Sequence, residues 1–305
     1  MIAEAGIGAA AAATATKCPL CEADHSRIAW QQNGLRIDKC LGCGLLFTAE
    51  RPGEDDLLRL YGDGTLKGVP NEEIGCDDGP PPRWKQTEQE HILSRIRSLG
   101  VTNGELLDIG CFTGMFMVNA SAFGFSPVGV EPSDLAYRHV RGSLSFSVHH
   151  GNLQSANFAE GRFSAASLLD VIEHVPDPVA ELRAVHRVLR PGGVLAVSTP
   201  NAAGLLQRVV GTKRRLTGQP WCPIDDVPWH LWGFTPRTIA RCIERAGFRF
   251  EGVEQLQPSP LASNEGAGST PLKKIGLRAV AEASKILRMS DRMAAFGTKP
   301  LVSAE

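Results

Sequence analysis

The 305-residue chain lacks a surplus of either charge: 32 Lys and Arg stand against 33 Asp and Glu, for a net charge of −1. A protein built to hold a polyanion carries a basic excess, so a dedicated nucleic-acid binder is not expected. No apolar run approaches the roughly 20 residues that a membrane-spanning helix needs. The first sixteen residues, MIAEAGIGAAAAATAT, lack a basic segment ahead of their alanines. That argues for a disordered leader rather than a secretory signal. There is no internal repeat.

Eight cysteines are present, and four of them fall into two C-x-x-C pairs, Cys18/Cys21 and Cys40/Cys43, with eighteen residues between the pairs. Four thiolates suit tetrahedral Zn²⁺, and each knuckle can hold two of them on a tight turn. A redox dithiol would need only one pair. With cysteine at all four ligand positions no coordination site stays open, so this zinc would be structural. The segment between the knuckles, RIAWQQNGLRIDKC, predicts a hairpin turning at Asn33-Gly34. Cys76, Cys111, Cys222 and Cys242 are scattered. This usage fits a reducing cytoplasm.

Residues 17–50 are therefore expected to form a zinc ribbon. Residues 51–81 are rich in Pro, Gly and Asp and end in DDGPPP; they are expected to be a linker with one short helix near Asp55–Tyr61. RWKQTEQEHILSRIRSLG then predicts a helix ending at Gly100. From Glu105 strands and helices alternate: ELLDIG, SPVGVEP, FSVHHG, FSAASLLDV and VLAVSTP as strands, with TGMFMVNASAFG, SDLAYRHVRG and PDPVAELRAVHRVLRPGG as helices. Such alternation implies a parallel sheet covered on both faces, spanning residues 82–305 as one α/β domain. The tail adds a helix TPRTIARCIERAGF, a strand RFEGVEQLQ and a basic amphipathic helix around Pro271–Met293. That last helix is suited to packing on the sheet, with peripheral membrane contact as the alternative.

The turn LLDIGCFTG lacks what two common nucleotide sites require. A dinucleotide fingerprint places a glycine where this chain has Phe112, and a P-loop needs a following G-K-[ST]. What is present is Asp108 at the strand end beside a tight turn, which suits a phosphate-free ligand carrying an ammonium group. Glu131 ends the next strand, where a carboxylate can accept both hydroxyls of a ribose.

LLDIGCFTG, VGVEPS, FSAASLLDVIEHVPDP and LRPGGVLAVSTPN, in that order and spacing from about Trp84 to Gln257, resemble the class I S-adenosylmethionine-dependent methyltransferases. The resemblance implies a Rossmann-like seven-stranded sheet whose last pair is antiparallel, here preceded by the small zinc ribbon. It implies S-adenosylmethionine as methyl donor. Asp108, Gly110, Cys111 and Gly114 would surround its methionine part, Glu131 its ribose, and Asn152-Leu153 its adenine, where many relatives carry Asp at the first position. Asp170 would line the methionine end and the acceptor side. The alternative for Glu131 and Asp170 is a strand-end carboxylate capping the next helix.

Methyl transfer to a hydroxyl needs alignment and removal of one proton. Candidate bases are Glu173 and His174 in DVIEHVPDP and His230 in DVPWHLWGFTP. Asp170-x-x-Glu173-His174 with His230 also resembles the acid-x-x-Glu-His arrangement of metal-dependent small-RNA 2′-O-methyltransferases, with Asp for their first Glu. The [DN]-P-P-[YFW] signature of exocyclic-amine methyltransferases is absent, which argues against N-methylation of bases. The expected acceptor is a small molecule or glycoconjugate, methylated at oxygen in a cytoplasmic biosynthetic reaction. Alternatives are an rRNA methyltransferase using the ribbon to hold RNA, or a non-catalytic binding module on a degenerate fold. GTKRR (Gly211–Arg215) is read as a cationic loop after the fifth strand, solvated or gripping an anionic group.

Overall fold

The computed structural model describes residues 17–32, 35–49, 83–218, 221–224, 229–256 and 271–301. The leader, the linker with its expected helix near Asp55–Tyr61, and the Asn33-Gly34 turn lie outside them. The strands are β1 (Ser26–Gln32), β2 (Leu35–Cys40), β3 (Leu46–Thr48), β4 (Gly104–Ile109), β5 (Phe125–Glu131), β6 (Ser147–His150), β7 (Phe163–Leu169), β8 (Leu189–Pro200), β9 (Trp232–Gly233), β10 (Arg249–Gln255) and β11 (Arg292–Thr298). The helices are α1 (Arg83–Ser98), α2 (Met115–Ala122), α3 (Asp134–Ser143), α4 (Pro178–Val188), α5 (Leu205–Leu216), α6 (Pro236–Arg245) and α7 (Pro271–Ile286).

Seven strands form one sheet in the order β10-β11-β8-β7-β4-β5-β6. The pairings among β8, β7, β4, β5 and β6 are parallel, and β11 runs antiparallel to both of its neighbours. Both faces are covered, so the strands read as continuous apolar runs rather than alternating ones. Leu107, Val128, Val130, Ala166, Leu168, Leu195 and Val197 point to a core shared with α4 and α6. Leu106, Ala165, Val194 and Ala196 point the other way, to Ile92 and Phe116 on α1 and α2. Burying each Leu or Val of these layers contributes about 1.5–3 kcal/mol.

Helix starts follow from local chemistry. Ser133 caps α3 through Ala136, and Asp177 caps α4 through the amides of Val179 and Ala180, with Pro178 in the first turn. Thr235 and Thr238 form a reciprocal capping box on α6. Each such cap removes orphaned donors worth about 1 kcal/mol.

A second sheet, β1-β2-β3-β9, joins the four-cysteine segment to the segment before α6: Leu46 pairs with Gly233 and Phe47 with Trp232. Leu20, Leu45 and Phe47 share the core of Leu231, Phe234, Ile239 and Ile243. The Trp232 indole N–H donates to the Val175 carbonyl at 2.6 Å, and Arg245 Nη1 donates to the Leu20 carbonyl at 2.8 Å.

Three elements differ from the sequence expectation. The expected cationic loop Gly211–Arg215 is helical: Lys213, Arg214 and Arg215 occupy the last turn of α5, where cations meet the negative end of the helix dipole. Helix α4 stops at Val188, and RPGG belongs to β8. It forms an irregularity there, between the Phe163–Leu189 and Ala165–Val194 pairs. Lys299 Nζ satisfies the carbonyls of His186 and Leu189 where that helix ends. The basic helix expected through Met293 ends at Ile286, and β11 follows. Six consecutive buried residues from Met293 give β11 no polar face, so its pattern carries no period of two. Among the described residues no helix is long and apolar enough to cross a membrane.

Candidate active site

The four cysteines converge. Cys18 Sγ lies 3.6 Å from Cys43 Sγ and Cys21 Sγ 3.5 Å from Cys40 Sγ, and all four sulfurs lie within 4.8 Å of one another. Tetrahedral Zn–S bonds of about 2.3 Å place sulfurs roughly 3.8 Å apart, so the donor set fits structural zinc. The Cys43 amide points at Cys40 Sγ at 3.4 Å, and a Cβ on Gly42 would sit 3.1 Å from Ala23 Cβ. Without a cation, the neighbouring Cys43 sulfur and then burial push the Cys18 thiol up. Burial does the same to Cys21. Zinc reverses that preference.

Asp108, the next-to-last residue of β4, is buried and accepts from Ser167 Oγ at 2.8 Å. Burial first, and then the charge of Glu131, push its carboxyl up to about 7 against the pull of the Ser167 hydrogen bond. The turn that follows holds three left-handed residues, Gly110 (φ 69), Phe112 (φ 47) and Gly114 (φ 76). A Cβ on Gly110 would lie 2.6 Å from Val171 Cγ2, and one on Gly114 would lie 2.6 Å from Leu144 Cδ1, so neither position accepts a side chain. Phe112 is strained there, with its ring 40% exposed. Its N–H donates to Glu131 Oε2 at 2.7 Å, while Ser133 N–H donates to Oε1 at 2.8 Å. Glu131 thus ties the turn to α3, and burial pushes it up to about 7 despite these two donors.

Cys111 is buried, with its thiol packed on β5: a Cβ on Gly129 would lie 2.7 Å from its sulfur. Asn152 Oδ1 accepts from Ser155 N–H at 2.7 Å, forming a turn after β6, and Leu153 is buried beside it.

Asp170 follows β7 in a left-handed conformation (φ 59). Its carboxylate binds Lys85 Nζ at 2.7 Å and Arg292 Nη2 at 2.8 and 2.9 Å. Arg292 also grips the buried Glu88, at 2.8 and 3.1 Å. Burial alone would raise Asp170, but Arg292 and Lys85 outweigh it and hold the carboxyl well below the usual carboxylate range.

Three residues on, Glu173 is 1% exposed, and among the described residues neither of its carboxylate oxygens has a hydrogen-bond partner. Burial, then the charge of Asp170, push it up to about 8. His174 Nδ1 lies 3.1 Å from the Trp229 carbonyl, which places the proton on Nδ1 and the lone pair on Nε2 in the neutral ring. The His174 and His230 rings meet edge to face at 4.7 Å. Glu173, His174 and His230 each present a ligand atom within 4.8 Å of the others. The chain is pinned here by Leu231 N–H donating to the Glu173 carbonyl at 2.8 Å, one residue before the strand that joins the ribbon.

Residues 83–252 match a family model described as a methyltransferase domain, more than half of the chain. The chain belongs to this methyltransferase family. Curated relatives include the ubiquinone biosynthesis O-methyltransferase of Pseudomonas aeruginosa, 29% identical over 153 residues, covering 45% of this chain and 66% of that protein. The enzyme of the same name from Aromatoleum aromaticum is 28% identical over 205 residues, covering 61% of this chain and 86% of its own. The first of these matches spans just under two thirds of the relative's length. Among solved structures, a chain from the complex between the Haloferax volcanii Trm112 methyltransferase activator and a methyltransferase shares the fold. It has 14% identity and a TM-score of 0.53, covering 82% of this chain and all of that one.

The methyltransferase has the class I fold, for which S-adenosylmethionine is the donor, and the four-cysteine cluster fits structural zinc. Of the residues singled out in the sequence, Asp108 and Glu131 lie together at the ends of β4 and β5, and Glu173, His174 and His230 form a second group. Lys85, Glu88 and Arg292 were missed. Their only signal was polarity at positions that α1 and β11 turn inward, and β11, the seventh strand that the resemblance implied, had been given no place in the sequence.

Proposed function

We propose that this methyltransferase transfers the methyl group of S-adenosylmethionine to a hydroxyl oxygen of a small-molecule acceptor. The observation that carries it is the Glu173, His174 and His230 cluster: a buried carboxyl with unpartnered oxygens beside two imidazoles, at the carboxyl end of a parallel strand. Ligands of open α/β sheets bind at that end. The curated relatives named above are O-methyltransferases by name, which supports the same chemistry.

The donor supplies an electrophilic methyl on a sulfonium when bound. Asp108, Gly110, Cys111 and Gly114 would hold its methionine part, the first by charge and the others through backbone. Glu131 would take the ribose hydroxyls, and Asn152 and Leu153 would frame the adenine. The acceptor oxygen bonds to the methyl carbon as the sulfur–carbon bond breaks. The hydroxyl proton passes to His174 Nε2 or, once pH reaches about 8 and it ionises, to Glu173, with His230 orienting the pair.

The test is turnover with methyl-labelled donor against a panel of phenols, sugars and lipid-linked alcohols. Support is transfer to oxygen, reduced about 10²-fold or more in Glu173→Gln and His174→Ala. Absence of donor binding by calorimetry, or label found only on RNA or on carbon, would overturn the proposal. The same cluster favours a second reading, a divalent ion on Glu173, His174 and His230. Loss of turnover on chelation while ribbon zinc is retained, with recovery on adding Mg²⁺ or Mn²⁺, would select it.

A further inference from the structure

The ribbon and the methyltransferase sheet enclose an open cleft of about 480 Å³, on which Lys39, Arg208, Arg237 and Arg288 converge. These cations come from four separate parts of the chain: β2, α5, the first turn of α6, and the turn after α7, where Arg288 adopts a left-handed backbone (φ 52). No Asp or Glu among the described residues lines the cleft. Among the described residues none of the four is paired with a carboxylate. Nearby cations are paired: Arg36 with Asp38, Arg245 with Glu22, and Arg292 with Glu88 and Asp170. Four like charges gathered in one concavity repel one another and focus a positive potential there, which an anion relieves. The amino end of α6 adds to it, since Thr235 and Pro236 also line the cleft.

We propose that this cleft binds a phosphate or diphosphate group carried by the methyl acceptor. Three guanidiniums and an ammonium suit phosphoryl oxygens, because each guanidinium can donate two parallel hydrogen bonds. The volume lies within the range of small-ligand sites. Asn201 stands between the cleft and the reaction centre: it lines both this space and a small recess that touches His230. Asn201 is fixed in place, with Nδ2 donating to the Ser290 carbonyl at 2.8 Å and Oδ1 accepting from Ala203 N–H at 3.0 Å. An acceptor anchored by its phosphate in the cleft would extend past Asn201 and present a hydroxyl to Glu173 and the histidines. The proposal rests on the small-molecule acceptor assigned above.

The test uses the full zinc-loaded chain and inorganic pyrophosphate as probe, followed by calorimetry and ³¹P NMR in wild type and in Arg237→Gln/Arg288→Gln. Saturable, salt-sensitive binding weakened at least about tenfold in the double variant is expected, with zinc content and S-adenosylhomocysteine affinity unchanged. No saturable binding, or equal binding in both proteins, would overturn it. So would a double variant that simply loses zinc, since the cations would then serve only to offset the thiolate charge. Geranyl diphosphate and UDP as competitors distinguish a lipid-linked from a nucleotide-linked source. A single-stranded RNA oligomer that outcompetes both and loses its grip in the same variant would replace the small molecule with a nucleic acid. Donor affinity separates failure of this site from failure of the methyltransferase assignment.

Discussion

Asp170 and Glu173 stand three residues apart on one strand-end turn and are held in opposite states of ionisation. Two cations grip the first at 2.7 to 2.9 Å, while the second is buried and no ion pair reaches it among the described residues. The charge of Asp170 reinforces the burial that keeps the Glu173 proton in place up to about pH 8. Two acidic groups in one turn are thereby given different work.

This arrangement dictates how stability depends on pH. Asp108 and Glu131 are pushed up to about 7 and Glu173 to about 8, from ordinary values near 4. A carboxyl that binds its proton more tightly when folded stabilises fully below its unfolded pKa and loses that contribution as pH rises through the folded one. Asp170 has the opposite sign: its contribution is present above about pH 4 and is lost below it. The unligated protein should lose on the order of a few kcal/mol between pH 5.5 and 8.5, read as a falling melting temperature. Glu173→Gln mimics the protonated acid, so it should melt near wild type at pH 6 and flatten the decline above pH 7. A wild-type melting temperature that rises over this range would contradict the assignment.

Donor binding should carry a proton signature. If the donor's ammonium group sits against Asp108, the bound state favours the carboxylate, so affinity increases as pH rises through about 7. Calorimetry in two buffers of different ionisation enthalpy should show net proton release at pH 6.5. Asp108→Asn should reduce the release to the part that Glu131 contributes and weaken binding about tenfold or more.

Removing zinc should impair turnover more than donor binding. Leu46 and Phe47 of the ribbon pair with Gly233 and Trp232, directly after His230 and Leu231. Structural zinc contributes about 10–16 kcal/mol of binding free energy to small modules, so its loss releases this strand pair. Chelation or Cys40→Ser should raise the acceptor KM or lower kcat about tenfold or more. The S-adenosylhomocysteine dissociation constant should change less than threefold.

Arg292→Met should destabilise the fold by about 3 kcal/mol or more, because it leaves the buried Glu88 and the half-buried Asp170 to share Lys85. Urea denaturation measures the loss. Arg292→Met combined with Glu88→Gln should recover part of it. A double variant no more stable than the single would show that the pair is not the cause.

Much of this was legible in the sequence because it rests on local chemistry. The two C-x-x-C knuckles, the LLDIGCFTG turn and the Asp177-Pro178 helix start announce themselves within a few residues, and alternating strands and helices imply the doubly covered sheet. Strand β11 was not legible, because a strand buried on both faces shows no alternation and followed a helix whose pattern ran into it. The helical state of Lys213–Arg215 was hidden by a Gly-Thr pair that reads as a turn. The Lys85–Asp170–Arg292 contact joins positions up to 207 residues apart, and no local rule connects them.

The fourth strand of the ribbon sheet comes from Trp232–Gly233, nearly two hundred positions downstream of the second knuckle. During synthesis the knuckles can load zinc early, yet β3 keeps an unpaired edge until most of the chain has emerged. An exposed strand edge is a template for pairing with other chains. A fragment ending at residue 50 would therefore be expected to hold its metal and still self-associate. In the intact protein the late arrival of Trp232 closes that edge, and with it the wall beside His230. The step that protects the nascent chain from aggregation is also the one that finishes the wall of the proposed acceptor site.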